Sequence, residues 1–364
     1  MPYLTHIHLV HYKNHASVAL IFNPSINALV GNNGIGKTNL LDAIYYLGLA
    51  RSYFTKIDKM NVQHEKEGFS ITGSYKNSIN VLPKAEYFTL KNIVREDGKK
   101  ELYHDNVLIK KQSEYIGKAP VVIITPDDIE LINEGSEQRR KYMDTILCQT
   151  NPTYLQTLVK YQKILLQRNA LLKQIAQYPY QPTTLLDTYD EQLNNYATTI
   201  VKLRTTLTDT LVQLVRLYYN YLASNADNPS LHYETQLHNN DLLTLLKQNR
   251  QKDINTQRTN YGIHKDEITF TLNNYPLKNV ASQGQKKTLL LALKLAEFNL
   301  LKSSLNITPI LLLDDIFEKL DNLRISKLFS LINEHFKCQI FITDTNEERV
   351  KAQLKNYKYN IINL

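Results

Sequence analysis

The sequence predicts an α/β domain interrupted by a mainly helical insert, and three observations carry that reading. Short apolar runs ending at turn residues fill the first third of the 364-residue chain, a long three-and-four apolar rhythm fills the middle, and short apolar runs return near the end. Gly and Pro number only 11 each, so long uninterrupted elements are expected. Hydrophobic residues at 43% can build a core, while 21% charge is too little for a disordered polyampholyte.

In chain order, residues 3–10 alternate as a strand should. The run from Ser25 through Val30 stops at Gly31, and after GNNGIGKTN the residues Leu40, Leu41, Ala43, Ile44 and Leu47 recur at helical spacing. Strand, turn and helix therefore follow one another. From about 68 to 125, short strands such as Glu101 to His104 and Ala119 to Ile124 are expected around one sheet. Leu186, Tyr189, Leu193, Tyr196, Ile200, Leu203, Leu207, Thr210, Leu214, Leu217 and Tyr221 then alternate three and four apart. This reads as a heptad seam, about 54 Å long at 1.5 Å per residue. Upstream, Leu158, Tyr161, Leu165, Arg168, Leu172 and Ile175 keep the same spacing, and Pro179 and Pro182 break helix between the two seams. An antiparallel helical hairpin forming an arm is expected; two amphipathic helices lying on the main body are the alternative. Later, Thr269 to Leu272 alternates as a strand, an apolar helix covers Leu289 to Leu301, and Pro309 to Leu313 and Gln339 to Ile342 read as buried strands. The expected domains are a discontinuous head, 1–144 and 261–364, and a helical insert, 145–260.

Lys and Arg total 43 against 35 Asp and Glu, and the formal net charge of +8 suits a polyanionic partner without requiring one. The opening MPYLTHIHLV has no basic region followed by an apolar one, and no stretch approaches about 18 uncharged apolar residues. A cytoplasmic protein with no membrane partner is expected. Cys148 and Cys338 lie far apart without metal-ligand spacing, which predicts two buried thiols rather than a disulfide or zinc site.

Three motifs carry chemistry. Gly31, Asn32, Asn33, Gly34, Ile35, Gly36, Lys37 and Thr38, followed by Asn39, fit a phosphate-binding loop, in which backbone N–H groups turn inward around phosphates at a helix N-terminus. Lys37 would reach the β and γ phosphates of ATP, and the Thr38 hydroxyl would serve Mg²⁺, a hard cation that prefers oxygen ligands. The strand ending in Asp314 and Asp315 would deliver Asp314 to Mg²⁺ and Asp315 to the attacking water as general base. Ser282, Gln283, Gly284 and Gln285 open a helix and form a second anion site. One nucleotide has no use for two unrelated γ-phosphate cradles on one chain, so this site is expected to cap a nucleotide held by a second copy, making a two-fold dimer with two composite sites. A plain N-cap at Ser282 is the alternative. Basic positions that could meet DNA include Lys99, Lys100, Lys110, Lys111, Arg139, Arg140 and Lys141.

The combination of GNNGIGKTN, SQGQKKTLLLALKLAE, LLLDDIFEKLD and a short helical insert resembles the RecF family, the recombination mediators among the SMC-like ABC ATPases. Smaller matches extend the likeness over nearly the whole chain: His11-Tyr12-Lys13-Asn14-His15, TPDDIELI at 125–132, GSEQRRKYMD at 135–144 and GIHKDEI at 262–268. Ile263 and Lys265 depart from that family's pattern, which has Pro and Arg there. The resemblance implies an ABC/SMC-type P-loop ATPase head with an inserted mainly helical, antiparallel coiled-coil-like arm. It also implies weak DNA-stimulated ATPase activity, an ATP-dependent homodimer, DNA at single-stranded gaps and duplex junctions, and a RecR-like partner that helps load the strand-exchange recombinase. By the same likeness Gly31 to Thr38 are the Walker A loop, Asp314 and Asp315 the Walker B acids, Ser282 to Gln285 the signature, and Asp321 the D-loop acid. Thr343 to Thr345 fall where ABC transporters carry a γ-phosphate-sensing histidine. A transporter's nucleotide-binding subunit and a helical scaffold with a vestigial nucleotide site are the competing readings.

Overall fold

Short runs that are apolar on both faces suit strands covered on both sides, and four of them with a fifth, half-buried edge strand make one parallel sheet. In the computed structural model, which describes residues 2–77, 87–133, 135–178, 183–223, 227–238 and 240–364, its order is Tyr359–Asn363, Ile26–Val30, Ile340–Asp344, Ile310–Leu313 and Val121–Ile124. Every residue of the four strands after the first is buried. This sheet belongs to the first of two units into which the chain divides, 1–129, 218–225 and 284–364; the second comprises 130–217 and 226–283.

The first unit also holds a six-stranded antiparallel sheet, ordered His15–Ile21, Pro2–Tyr12, Phe69–Asn77, Tyr87–Val94, Lys100–His104 and Val107–Ile109. Along Phe69–Asn77 Phe69, Ile71, Gly73 and Tyr75 are buried, the period of two that a one-sided strand requires. Val121–Ile124 thus does not join the strands before it, as the single-sheet expectation had it. Its four consecutive buried residues suit the parallel sheet, covered on both faces. Gln339, fully buried, ties the two sheets: its amide donates to the Leu4 carbonyl at 2.8 Å and its oxygen accepts from the Leu4 N–H at 2.8 Å. The helix Lys37–Leu49 is buried almost all round, as a core helix should be.

In the second unit a three-stranded antiparallel sheet, ordered Tyr275–Pro276, Glu267–Leu272 and Pro229–Glu234, accompanies the helices Ser136–Thr150, Pro152–Gln177 and most of Thr184–Leu222. The unit boundaries fall at 129/130, 217/218, 225/226 and 283/284, not at 144/145 and 260/261. The reason is pairing distant in sequence: Glu267–Leu272 pairs with Pro229–Glu234, and Arg139 donates to the Ile268 carbonyl at 2.9 Å and lies 3.3 Å from the Glu267 carboxylate. Arg140 donates to the Asp266 carbonyl at 2.6 Å. Both arginines are therefore engaged in holding the fold. The GIHKDEI segment is structural too. Buried Arg204 pairs with Asp266 at 3.0 Å and Asp144 at 2.9 Å, while Tyr161 and the Thr259 carbonyl hold the two ring nitrogens of His264. Burial pushes the His264 pKa down to about 4.

The two long helices meet where Leu171, Leu172 and Ile175 pack with Leu186 in one apolar cluster. Pro179 and Pro182, the expected helix breakers, lie outside the described residues. The expected seam holds in part from Leu186 to Leu207, where Leu186, Leu193, Ile200 and Leu207 are buried but Tyr189, Tyr196 and Leu203 only half-buried, and then fails: Thr210 is exposed, Leu217 is 60% exposed and Tyr221 38%. The buried stripe runs through Leu186, Asp190, Leu193, Ala197, Ile200, Arg204, Leu207, Leu211, Val215, Tyr218 and Leu222, with Thr208 and Tyr219 buried beside it, and follows the straight-helix period of about 3.6. A strict 3.5 repeat drifts about 20° per heptad from that period, enough over five heptads to move the stripe one residue. Both cysteines are buried and free, and burial pushes the Cys338 thiol up to about 12. Among the described residues no helix is long and apolar enough to cross a membrane.

Candidate nucleotide site

The first unit builds one site from three strand ends of its parallel sheet. Ile26–Val30 leads into the loop Gly31 to Gly36, whose Gly34 (φ 81°) and Gly36 (φ 112°) take left-handed conformations that favour glycine, and Lys37–Leu49 starts at once. A helix N-terminus and a loop of backbone N–H groups thus share one spot, the arrangement that attracts phosphate. Lys37, 6% exposed, donates from Nζ to the carbonyls of Gly31 at 2.7 Å and Asn32 at 2.9 Å, so its charge lies along the loop.

Ile310–Leu313 ends beside this loop and supplies the acids. The Thr38 hydroxyl donates to the Asp314 carboxylate at 3.0 and 3.1 Å, and the Thr343 hydroxyl donates to it at 2.6 Å. Thr343 in turn accepts the Asp315 N–H at 2.9 Å, fixing both acids from the third strand, Ile340–Asp344. Asp315 itself sits in the left-handed region (φ 46°), unusual for a residue with a side chain, and makes no capping bond with that side chain. Burial raises the pKa of Asp314 above the ordinary aspartate range, and burial followed by the Asp314 charge does the same for Asp315.

The donor set suits a magnesium nucleotide. Thr38 and Asp314 present hard oxygens 3.0 Å apart, and a cation would relieve the cost of burying Asp314. Among the described residues no group of three or more His, Cys, Asp or Glu could hold a metal ion, so Mg²⁺ here would need phosphate and water oxygens as well.

Two residues with no role assigned from sequence brace the loop. Asn14 donates to the carbonyls of Gly34 at 3.3 Å and Ile35 at 3.0 Å, and accepts from the Asn39 amide at 2.8 Å. His15 Nε2 lies 3.1 Å from the Gly36 carbonyl; burial lowers its pKa, and the neutral ring makes this bond by carrying its proton on Nε2. Behind the loop, buried Asp42 accepts from Tyr12 and Ser52 at 2.7 Å each, pairs with Lys13 at 2.6 Å, and accepts the Tyr53 N–H at 2.7 Å. The signal in the sequence was the His11 to His15 segment, quoted above only for its likeness.

The remaining expected residues are divided between the two units. Ser282 is exposed just before the helix Gln283–Leu305; Ser282 and Gln283 close the second unit, and Gly284 and Gln285 resume the first. Within the first unit Arg324 binds the Gly284 carbonyl at 3.0 Å and the Thr288 hydroxyl at 2.9 Å while pairing with Asp321. Asp321 also caps the helix Asn322–Leu331. Gly284, Thr288 and Asp321 are therefore held by one guanidinium. Of the surface lysines, Lys100 is committed to Asp58 at 2.8 Å and to the Ala50 carbonyl at 2.6 Å, whereas Lys99, Lys110 and Lys111 are exposed.

The family model described as RecF/RecN/SMC N terminal domain matches residues 3–362. A DNA replication and repair protein RecF from Flavobacterium johnsoniae is 39% identical over 364 residues, 100% of both chains, and one from Cytophaga hutchinsonii is 37% identical over 99% of this chain and 95% of its own. The solved structure of "the recombination mediator protein RecF-ATPrS in RecFOR pathway" superposes with a TM-score of 0.88 at 27% identity, covering 100% of this chain and 96% of that one. An Smc head domain with an extended coiled coil from Pyrococcus furiosus, bound to the C-terminal domain of ScpA, gives 0.53 at 15% identity over 97% and 92%, a likeness of fold.

Proposed function

The chain belongs to the RecF family within the RecF/RecN/SMC N-terminal domain proteins, and from that premise we propose that it is a DNA-repair ATPase that dimerises on ATP and hydrolyses it on DNA. The observation that carries the proposal is the bonded set Lys37, Thr38, Asp314, Asp315 and Thr343 on three neighbouring strand ends. A vestigial site would have no reason to keep the loop cation, the metal oxygens and a base together. Full-length identity with RecF proteins likewise supports this reading over a transporter subunit.

In this scheme Gly31 to Thr38 cradle the phosphates and Lys37 offsets their charge. Thr38 and Asp314 hold Mg²⁺, which when bound neutralises charge shared by the β and γ phosphates. Asp315 takes the proton of the attacking water; its raised pKa makes it a better base than an ordinary aspartate. Thr343 keeps Asp314 and the Asp315 backbone in register. Ser282 to Gln285 complete the site of a second copy, with Asp321 beside them. The dimer closes on DNA at single-stranded gaps and duplex junctions and acts with a RecR-like partner to help load the strand-exchange recombinase.

The test is ATP hydrolysis with and without gapped DNA. Turnover that DNA increases is expected, with Lys37→Met inactive in both conditions. Hydrolysis indifferent to DNA, or surviving in Lys37→Met, would overturn the assignment.

A further inference from the structure

The helix Pro152–Gln177 of the second unit contains no acidic residue along its 26 positions. Of its four cations Arg168 is fully buried, spent on Asp190 at 2.6 Å and Asp253 at 2.7 Å. The other three, Lys160, Lys163 and Lys173, are exposed, and among the described residues none of them meets an acid. Of the acids nearest in sequence on the following helix, two are already neutralised, since Arg250 takes Asp187 at 2.5 Å and shares Asp190 at 3.0 Å, while Glu191 is exposed. Beside the lysines stand Val159, 51% exposed, and Leu166, 71% exposed, with Gln156, Gln167 and Gln174 also facing solvent.

We propose that the solvent face of this helix is a phosphate-binding ridge for DNA, with Lys160, Lys163 and Lys173 as its contacts. The proposal rests on the DNA-binding reading above and names the surface that does the binding. The charge pattern selects a polyanion: the ridge is cationic, Asp187 and Asp190 are paired within the unit, and nothing on the helix itself repels phosphate. The length allows several contacts, because Lys160 to Lys173 span about 20 Å of helix axis, over which a duplex carries about a dozen phosphates at one per 1.7 Å. Short apolar side chains beside the lysines give their methylene stems a surface to lie on while the ammonium groups reach outward. No base-reading group is needed, which suits a protein that must accept gaps of any sequence.

The experiment measures binding of full-length protein with ATP to a fluorescent gapped duplex across a salt series. It compares the parent with Lys160→Gln/Lys163→Gln/Lys173→Gln and with a control of equal charge loss on the first unit, Lys99→Gln/Lys110→Gln/Lys111→Gln. Three lost phosphate contacts should lower the log–log salt slope of the ridge variant by about 2.7, at about 0.9 per contact. Affinity at low salt should fall at least tenfold, while nucleotide binding and DNA-free hydrolysis stay at parental levels. The control should keep most of the parental slope. A parent that binds DNA while the ridge variant keeps its slope, or loses no more than the control, would overturn the ridge and leave the functional reading standing. So would affinity that depends on Val159→Ser/Leu166→Ser and not on the lysines, since apolar docking would then be the role of this face. A parent that does not bind DNA at all would overturn the functional reading and the ridge with it.

Discussion

Gly36 has room for a hydrogen and nothing larger. A Cβ there would lie 2.5 Å from His15 Cε1 and 2.7 Å from Asn14 Oδ1, on a backbone at φ +112°. Gly36→Ala should therefore lose about 1–3 kcal/mol from the left-handed conformation alone and displace the Asn14 and His15 braces. Urea unfolding and nucleotide titration check this: an alanine variant that binds ATP within twofold of the parent would mean that the braces do not set the loop. Asp315 invites a different test. A base must be deprotonated, so with a raised pKa the rate should climb with pH along a limb above the ordinary aspartate range and then level off. Asp315→Asn should bind Mg²⁺·ATP within a few-fold of the parent, hydrolyse it about 10²–10⁴ times more slowly, and lose the acid limb. A parental pH profile surviving in that variant would assign the limb to another group.

At the scale of one element, Gln283–Leu305 carries two buried charges in an otherwise apolar stretch. Lys294 lies 3.3 Å from Asp128 and 3.4 Å from the Tyr53 hydroxyl, which donates to Asp128; Glu297 is one turn further on. Burial first, then the Asp128 charge, raise the Glu297 carboxyl to about 7, against the pull of Lys294. The folded state thus holds this proton more tightly than the unfolded chain, whose carboxyl titrates near 4.5. That contribution to stability is complete below about 4.5 and is lost as pH rises to about 7. Urea midpoints at pH 5 and pH 8 should differ less for Glu297→Gln than for the parent; parallel shifts in both would place the titration elsewhere. Lys294 and Glu297 were visible in the sequence as charges inside LALKLAEF, but a helix pattern says nothing of what a buried charge will meet. The phosphate loop, the acids and the strand ahead of each were legible because those signals are local. Sheet membership of Val121–Ile124, the Pro229–Glu234 partner of Glu267–Leu272, and the reach of Asn14 and His15 to the loop were not, since all depend on contacts across many residues. The drift of the buried stripe past Leu207 was hidden for another reason: periods of 3.5 and 3.6 cannot be told apart over a few turns.

At the scale of the whole molecule the proposed composite sites make a mixing experiment decisive. Lys37→Met removes the loop charge of one chain and Ser282→Arg blocks the signature of another, so each homodimer has two damaged sites. A heterodimer has one intact site, and hydrolysis should return on mixing to about half the parental level per dimer if the sites act independently. Mixtures that stay inactive despite verified subunit exchange, or full activity in pure Ser282→Arg protein, would count against a signature acting across the dimer. The strand order of the parallel sheet bears on how the chain is made. Ile26–Val30 is paired on one side by Ile340–Asp344 and on the other by Tyr359–Asn363, both from the far end of the sequence. On a ribosome adding about 5–20 residues per second, that strand waits tens of seconds with both edges open before its partners emerge. Nascent chains stalled between Gln283 and Pro309 should therefore be bound by chaperones at the Ile26–Val30 segment, while the second unit, complete by Gln283, can already have folded.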